Sequence, residues 1–283
     1  MMDLMPSVSS DYFAALTPED TVEEYLAAGF CRMELGITHT NALLKRQGSP
    51  ESVGREFAAW AADRGLRIGQ GHLDLDMELT VEKDLDMLKR QLELYAGLGI
   101  RAAVLHATGA YEESYEKQLA IRGAAIAQLE RHIHGTGIVI CLENLFSKPM
   151  LRSADGILEL IEAAGNGPQL GVCLDIGHLH RVRSHGLCPD SSQDFIRKAG
   201  SRLKAIHVHD NLGDTDDHLL PFVAGGLNWP LFMDALRENG FEGLFNMEIH
   251  GVSNGMPMEV KRLNLRHARA LAEYLLSDNC TLK

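Results

Sequence analysis

The chain has 283 residues, 45% of them apolar, and a formal charge of −12 with histidine neutral. That is enough apolar chain to bury a sizeable core in one large domain or two small ones, while the charge argues against a nucleic-acid backbone as main partner, since such binding needs clustered Lys and Arg. The five cysteines (Cys31, Cys141, Cys173, Cys188 and Cys280) form no CxxC pair, which speaks against a disulfide framework and for a reducing compartment.

From the N-terminus, MMDLMPSVSSDYF has no basic leader region and no long apolar core. No window approaches the roughly 20 apolar residues of a membrane span, so a cytoplasmic location without membrane contact is expected. Apolar runs of strand length then recur near 4–10, 31–37, 66–75, 100–108, 138–145, 170–178, 203–211 and 243–250. Helical stretches lie between them. TPEDTVEEYLAAGF starts on a Thr17 cap followed by acids. SPESVGREFAAWAADRG has proline at the first helical position and closes on Gly65. TVEKDLDMLKRQLELYAGLG and YEKQLAIRGAAIAQLERHIHG are long and periodic. SADGILELIEAAG, DSSQDFIRKAGS and WPLFMDALRENG repeat the cap-helix-glycine pattern, and EVKRLNLRHARALAEYLLSD closes the chain. Alternation of this kind predicts parallel strands with helical crossovers. Eight units in about 250 residues predict a single α/β domain over 1–283, a (β/α)8 TIM barrel. No GxGxxG turn follows the first strand, which weighs against an open doubly wound sheet.

In such a barrel the C-terminal strand ends share one mouth. Each later run ends on an ionisable residue: His72, His106, Glu143, Asp175 with His178, His207 with His209, and Glu248 with His250. Glu143 and Asp175 stand inside apolar runs, where a carboxylate is paired or metal-bound. A ring of carboxylates and imidazoles on one rim repels itself unless a cation lies between them. Oxygen and imidazole ligands suit Zn, Mn, Fe, Co or Mg. His132, His134 and His180 read as helix or loop surface. Glu34, in CRMELGI, is a weaker candidate for the floor of the mouth. Residues 206–218, IHVHDNLGDTDDH, add Asp216 and His218. His207 and His209 face the same side of a strand, and spacing alone does not choose between them.

The ordered set LEN, LDIGH, HVHDN, D-x-H before a Gly-rich loop and NW, and MEIHG resembles the xylose isomerase-like barrels over essentially the whole chain. That superfamily includes sugar isomerases and epimerases, inosose dehydratase and endonuclease IV. The resemblance implies a central divalent metal (Zn, Mn, Co or Mg) on Glu143, Asp175, His207 and Glu248, with Glu143 and Glu248 also serving as acid and base. It implies that His178 touches substrate or a further metal. His72, His106, Asp216 and His218 match residues that hold additional metals in endonuclease IV, so one to three ions are implied. Two departures stand out. The loop after His218 reads LLPFVAGG, and Gly213 stands where the epimerases have an arginine; Arg181 and Arg183 are candidates to replace it.

The resemblance implies isomerisation or epimerisation of a small sugar, polyol or keto-acid through an enediolate. The alternatives are an endonuclease IV-like zinc phosphodiesterase, an inosose-type dehydratase, and a non-catalytic sugar-binding barrel. The expected partner is a small carbohydrate, not nucleic acid, and a homo-oligomer is compatible with a barrel of this size.

Overall fold

The structure, a computed structural model, describes residues 4–111, 113–277 and 280. Eight strands form one parallel sheet: β1 (Pro6–Val8), β2 (Arg32–Leu35), β3 (Arg67–His72), β4 (Ala102–Leu105), β5 (Val139–Glu143), β6 (Leu170–Asp175), β7 (Leu203–Val208) and β8 (Phe245–Met247). Each strand lies beside its neighbours in sequence, and β8 returns to pair with β1. A parallel bridge between Ser9 and Glu34 joins the two ends of the sheet. The chain is therefore a (β/α)8 barrel, nearly closed.

The helices are α1 (Pro18–Ala27), α2 (Ile37–Leu44), α3 (Pro50–Asp63), α4 (Glu82–Leu98), α5 (Tyr115–His132), α6 (Ala154–Ala163), α7 (Ile176–Ser184), α8 (Ser192–Ala199), α9 (Trp229–Asn239) and α10 (Met258–Leu276). The Thr17 cap forms as the sequence predicts, and Ser49 caps α3 in the same way, each side chain accepting a backbone N–H from the first turn. Two helices were not expected. In α2, ITHTNALL is rich in Thr and Asn, which compete with helical hydrogen bonds, and its Gly36 cap has no side chain to offer. In α7 the apolar run 170–178 hides the change from strand to helix. Asp175 is at once the last residue of β6 and the cap of α7, its Oδ1 accepting the His178 N–H at 2.6 Å.

The core has two parts. The larger packs the outer face of the sheet against the helices. The smaller lies among β4–β7 and consists of Ala102, Val104, Cys141, Cys173 and Ala205. Side chains alternate across a strand, so these small residues stand below the rim residues two positions further on: Val104 below His106, Cys141 below Glu143, Cys173 below Asp175, Ala205 below His207. All five cysteines are free thiols. No helix among the described residues is long and apolar enough to cross a membrane.

Candidate functional site

The strand ends bring Glu143, Asp175, His207 and Glu248 together. Asp175 and His207 are register partners on β6 and β7. Glu248 follows β8, and its N–H donates to Val208 O at 3.1 Å, extending the ladder one residue. One ligand atom from each of the four lies within 4.8 Å of all the others. His207 Nδ1 is 3.3 Å from Glu143 Oε1, 3.3 Å from Glu248 Oε2 and 3.8 Å from Asp175 Oδ2. A ring nitrogen carries at most one proton and cannot satisfy three carboxylates. Among the described residues, no lysine or arginine forms an ion pair with any of these acids; their partners are all histidines. In a tetrahedral shell with bonds near 2 Å, ligand atoms stand about 3–3.5 Å apart. The donor set and its spacing therefore fit a divalent cation.

Behind the centre lies a group of buried polar side chains. Glu34 is fully buried; its Oε1 accepts from Gln70 Nε2 at 2.8 Å and faces His207 Nε2 at 3.0 Å, and its Oε2 accepts from Asn246 Nδ2 at 2.7 Å. Ser7 in turn donates to Asn246 Oδ1 at 2.9 Å. With the His207 Nε2–H donated to Glu34, Nδ1 is left facing the three acids.

Imidazoles crowd the outer side. His72 and His106 approach Glu143 Oε2 at 3.2 and 3.0 Å. His178 Nδ1 lies 3.4 Å from Glu143 Oε1. Asp216 Oδ2 lies 3.2 Å from both His178 Nε2 and His218 Nε2, and Asp216 Oδ1 is buried with no hydrogen-bond partner among the described residues. His209 Nε2 binds both oxygens of Asp175, at 3.0 and 3.1 Å. Gly177 makes this approach feasible, because a Cβ there would meet the His209 ring at 2.0 Å. His218 has left-handed backbone (φ 50°), and its ring lies between those of His209 and His250, with centroids 4.0 and 3.8 Å away.

These contacts set the charge states. Burial pushes the Glu143 carboxyl up, but His207, His106 and His178 outweigh it and hold the group well below the usual carboxylate range. Glu248 and Asp216 are lowered in the same way, against burial, by His207 and His218 and by His178 and His218 respectively. Burial works against charged imidazole, yet Glu143 raises His72 to about 9, and Asp216 and Glu248 raise His218 to about 9. For His106, burial wins and the ring is lowered.

A pocket of about 430 Å³ opens beside this cluster, lined among others by His106, His178, Asp216, Tyr111, Phe146 and Lys148. A cavity of about 600 Å³ lies at the opposite, N-terminal strand ends, against Arg101, Val139 and Leu203, away from these groups.

A family profile described as xylose isomerase-like TIM barrel matches residues 22–273. The chain belongs to this family. As a xylose isomerase-like barrel it shares its fold with a D-psicose 3-epimerase of Clostridium cellulolyticum H10, solved with D-tagatose (TM-score 0.78, 16% identity, 97% of this chain and 100% of that one). It is 28% identical over 175 residues to an uncharacterized protein of Sinorhizobium fredii (59% of this chain, 53% of that one). It is 31% identical over 178 residues to a probable endonuclease 4 of Nitratidesulfovibrio vulgaris (56% of this chain, 60% of that one). The chain thus spans little more than half the length of these curated relatives.

All eleven residues singled out at the strand ends and in the D-x-H lie in this one cluster. His209 is fully buried, bound to Asp175. One reading needs correction. His180 is half-buried in α7 and pairs through Nδ1 with Asn211 Oδ1 at 2.8 Å, so it is not surface. The sequence underweighted Glu34 and did not mark Asn246 or Asn144. Asn144 clamps the ends of β5 and β6 by bonding both the N–H and C=O of Asp175, at 2.7 and 2.9 Å. Its place in LEN, beside Glu143, was the available signal.

Proposed function

We propose that this xylose isomerase-like barrel is a metal-dependent isomerase or epimerase of a small sugar, polyol or keto-acid. The convergence of Glu143, Glu248 and Asp175 on one nitrogen of His207, beside a pocket sized for a small molecule, carries this reading. These four residues would hold a Zn, Mn, Co or Mg ion. Such an ion, when bound, supplies Lewis-acid polarisation of a carbonyl.

The remaining work falls to side chains. Glu248 is the most open of the three acids, its side chain 14% exposed, and among the described residues no hydrogen bond holds its carboxylate. We assign it to take the proton from the carbon beside the carbonyl. The C–H electron pair moves into the carbon–carbon bond, and the carbonyl oxygen takes the negative charge. Glu143 is assigned the return of a proton, on the opposite face for epimerisation or to the former carbonyl carbon for isomerisation. Both its oxygens face the imidazoles of His72, His106 and His178, and the returning proton is drawn from His72 or His178, the two of these three that hold their charge. His209 orients Asp175, and Glu34 orients His207.

The test is solvent deuterium exchange with Mn added, over ketoses and keto-acids. The expected result is deuterium at the carbon next to the carbonyl, with a rate that falls about 10²–10⁴-fold in Glu248→Gln. No exchange from any of them with the ion bound would contradict the reading.

A second reading has specific support. His72 with His106 on Glu143, and His178 with His218 on Asp216, form two further acid–imidazole groups flanking the centre. Clustered metals there would suit activation of water at a phosphodiester, and one curated relative is named a probable endonuclease 4. Cleavage of an abasic-site duplex, with more than one zinc ion per chain, would decide for this reading. The net charge of −12 and the small pocket weigh against it.

A further inference from the structure

Two cations lie on the aromatic side chains of this pocket, and neither has a carboxylate partner among the described residues. Lys148 lies past the end of β5 and lines the pocket, its Nζ 4.0 Å from the centroid of the Tyr111 ring. Arg181, in α7, places its guanidinium carbon 3.8 Å over the ring of Phe146, which lines the pocket and meets the His178 ring at 5.3 Å. Among the described residues neither cation makes an ion pair or a side-chain hydrogen bond.

Both aromatic supports are fastened from behind. Arg152 Nε donates to the carbonyl of Phe146 at 3.0 Å. Arg122, almost fully buried, donates twice to the carbonyl of Gly109, at 2.8 and 2.6 Å, and so secures the segment that carries Tyr111. A guanidinium stacked flat on a ring keeps its edge N–H groups free, in the fork that fits a carboxylate or phosphate. An ammonium over a ring keeps its charge and its outward donors. The pocket's other charged wall, after β3, is acidic, with Asp76 and Glu78, and offers acceptors for hydroxyl groups.

An acidic chain with a carboxylate-rich centre repels an anionic ligand at long range. Two cations beside the pocket, unpaired among the described residues, offset that repulsion locally. We propose that Lys148 and Arg181 form an anion subsite, which receives a carboxylate or phosphate carried by the substrate away from its reacting carbon. The inference rests on the reading of the pocket as a site for polyhydroxy carbonyl compounds, and it narrows the substrate class to acidic ones.

The experiment is calorimetric binding to the Mn-supplemented full chain at low salt, with three probes: D-fructose, D-fructose 6-phosphate and 5-keto-D-gluconate. At least one anionic probe is expected to bind about tenfold or more tighter than D-fructose, and the better of the two identifies the anion. In the double variant Lys148→Met, Arg181→Met the ratio is expected to fall to about one, and Arg181→Lys to keep part of it. Equal binding of neutral and anionic probes by the natural chain overturns the inference. So does a ratio that survives the double substitution, or no binding of any probe. Deuterium exchange separates the two readings. Exchange without an anionic preference removes the subsite and keeps the isomerase; an anionic preference without exchange does the reverse.

Discussion

Glu34 shows how one buried carboxylate sets the chemistry of another residue. It sits at zero exposure on the short strand RMEL, held by Gln70 and Asn246, and its third contact is His207 Nε2 at 3.0 Å. Outer-shell partners of this kind fix which ring nitrogen is free, and their loss typically costs about 10–100-fold in metal affinity. Glu34→Gln leaves an amide donor facing donors, so Mn affinity is expected to fall by about that factor while the fold persists. Unchanged affinity by titration would remove Glu34 from the site. The four central residues were legible because Glu143 and Asp175 interrupt apolar runs, where a carboxylate must have a partner. Glu34 was not legible to the same degree, because its partners come from β3, β7 and β8, which only barrel closure brings near. The Lys148–Tyr111 and Arg181–Phe146 pairs were hidden for the same reason: each joins segments that follow different strands.

At the scale of elements, the junction of β6 and α7 decides how the cluster is built. Asp175 ends the strand, caps the helix and takes both hydrogen bonds from His209. Gly177 is the second residue of the helix, and any Cβ there would overlap the His209 ring. Gly177→Ala sets two effects against each other. Helix propensity favours alanine by up to about 1 kcal/mol, whereas overpacking a buried contact costs about 1–3 kcal/mol. The His209 ring is held by Asp175 and stacked on His218, which leaves it little room to yield, so net destabilisation is expected in denaturant titration, together with loss of the His209–Asp175 bonds. A variant as stable as the natural chain would show that His209 moves freely. Eight of the ten helices could be read from caps and periodicity. The exceptions, α2 and α7, start inside or directly after apolar strand runs, where periodicity does not mark the change.

For the whole molecule, the barrel gathers acids from β5, β6 and β8 at one end and relies on positive charge to hold them there. In the chelated protein that charge is protons on imidazole. His72 and His218 rise from 6.5 to about 9 on folding, so their charged forms stabilise the native state. This contribution is complete below about 6.5 and is lost as pH climbs through about 9. Melting in EDTA is therefore expected to drop between those values, and a flat or rising profile there would contradict the balance described. A bound ion replaces the protons, so its binding releases them and strengthens with pH. The most direct measurement of the central claim is titration of Mn into the chelated chain, alongside Asp175→Ala and His207→Ala. The account predicts saturable binding in the natural chain, with proton release, and loss of most of that affinity in each variant. No binding, or equal affinity in all three, would show that the four side chains meet without holding an ion.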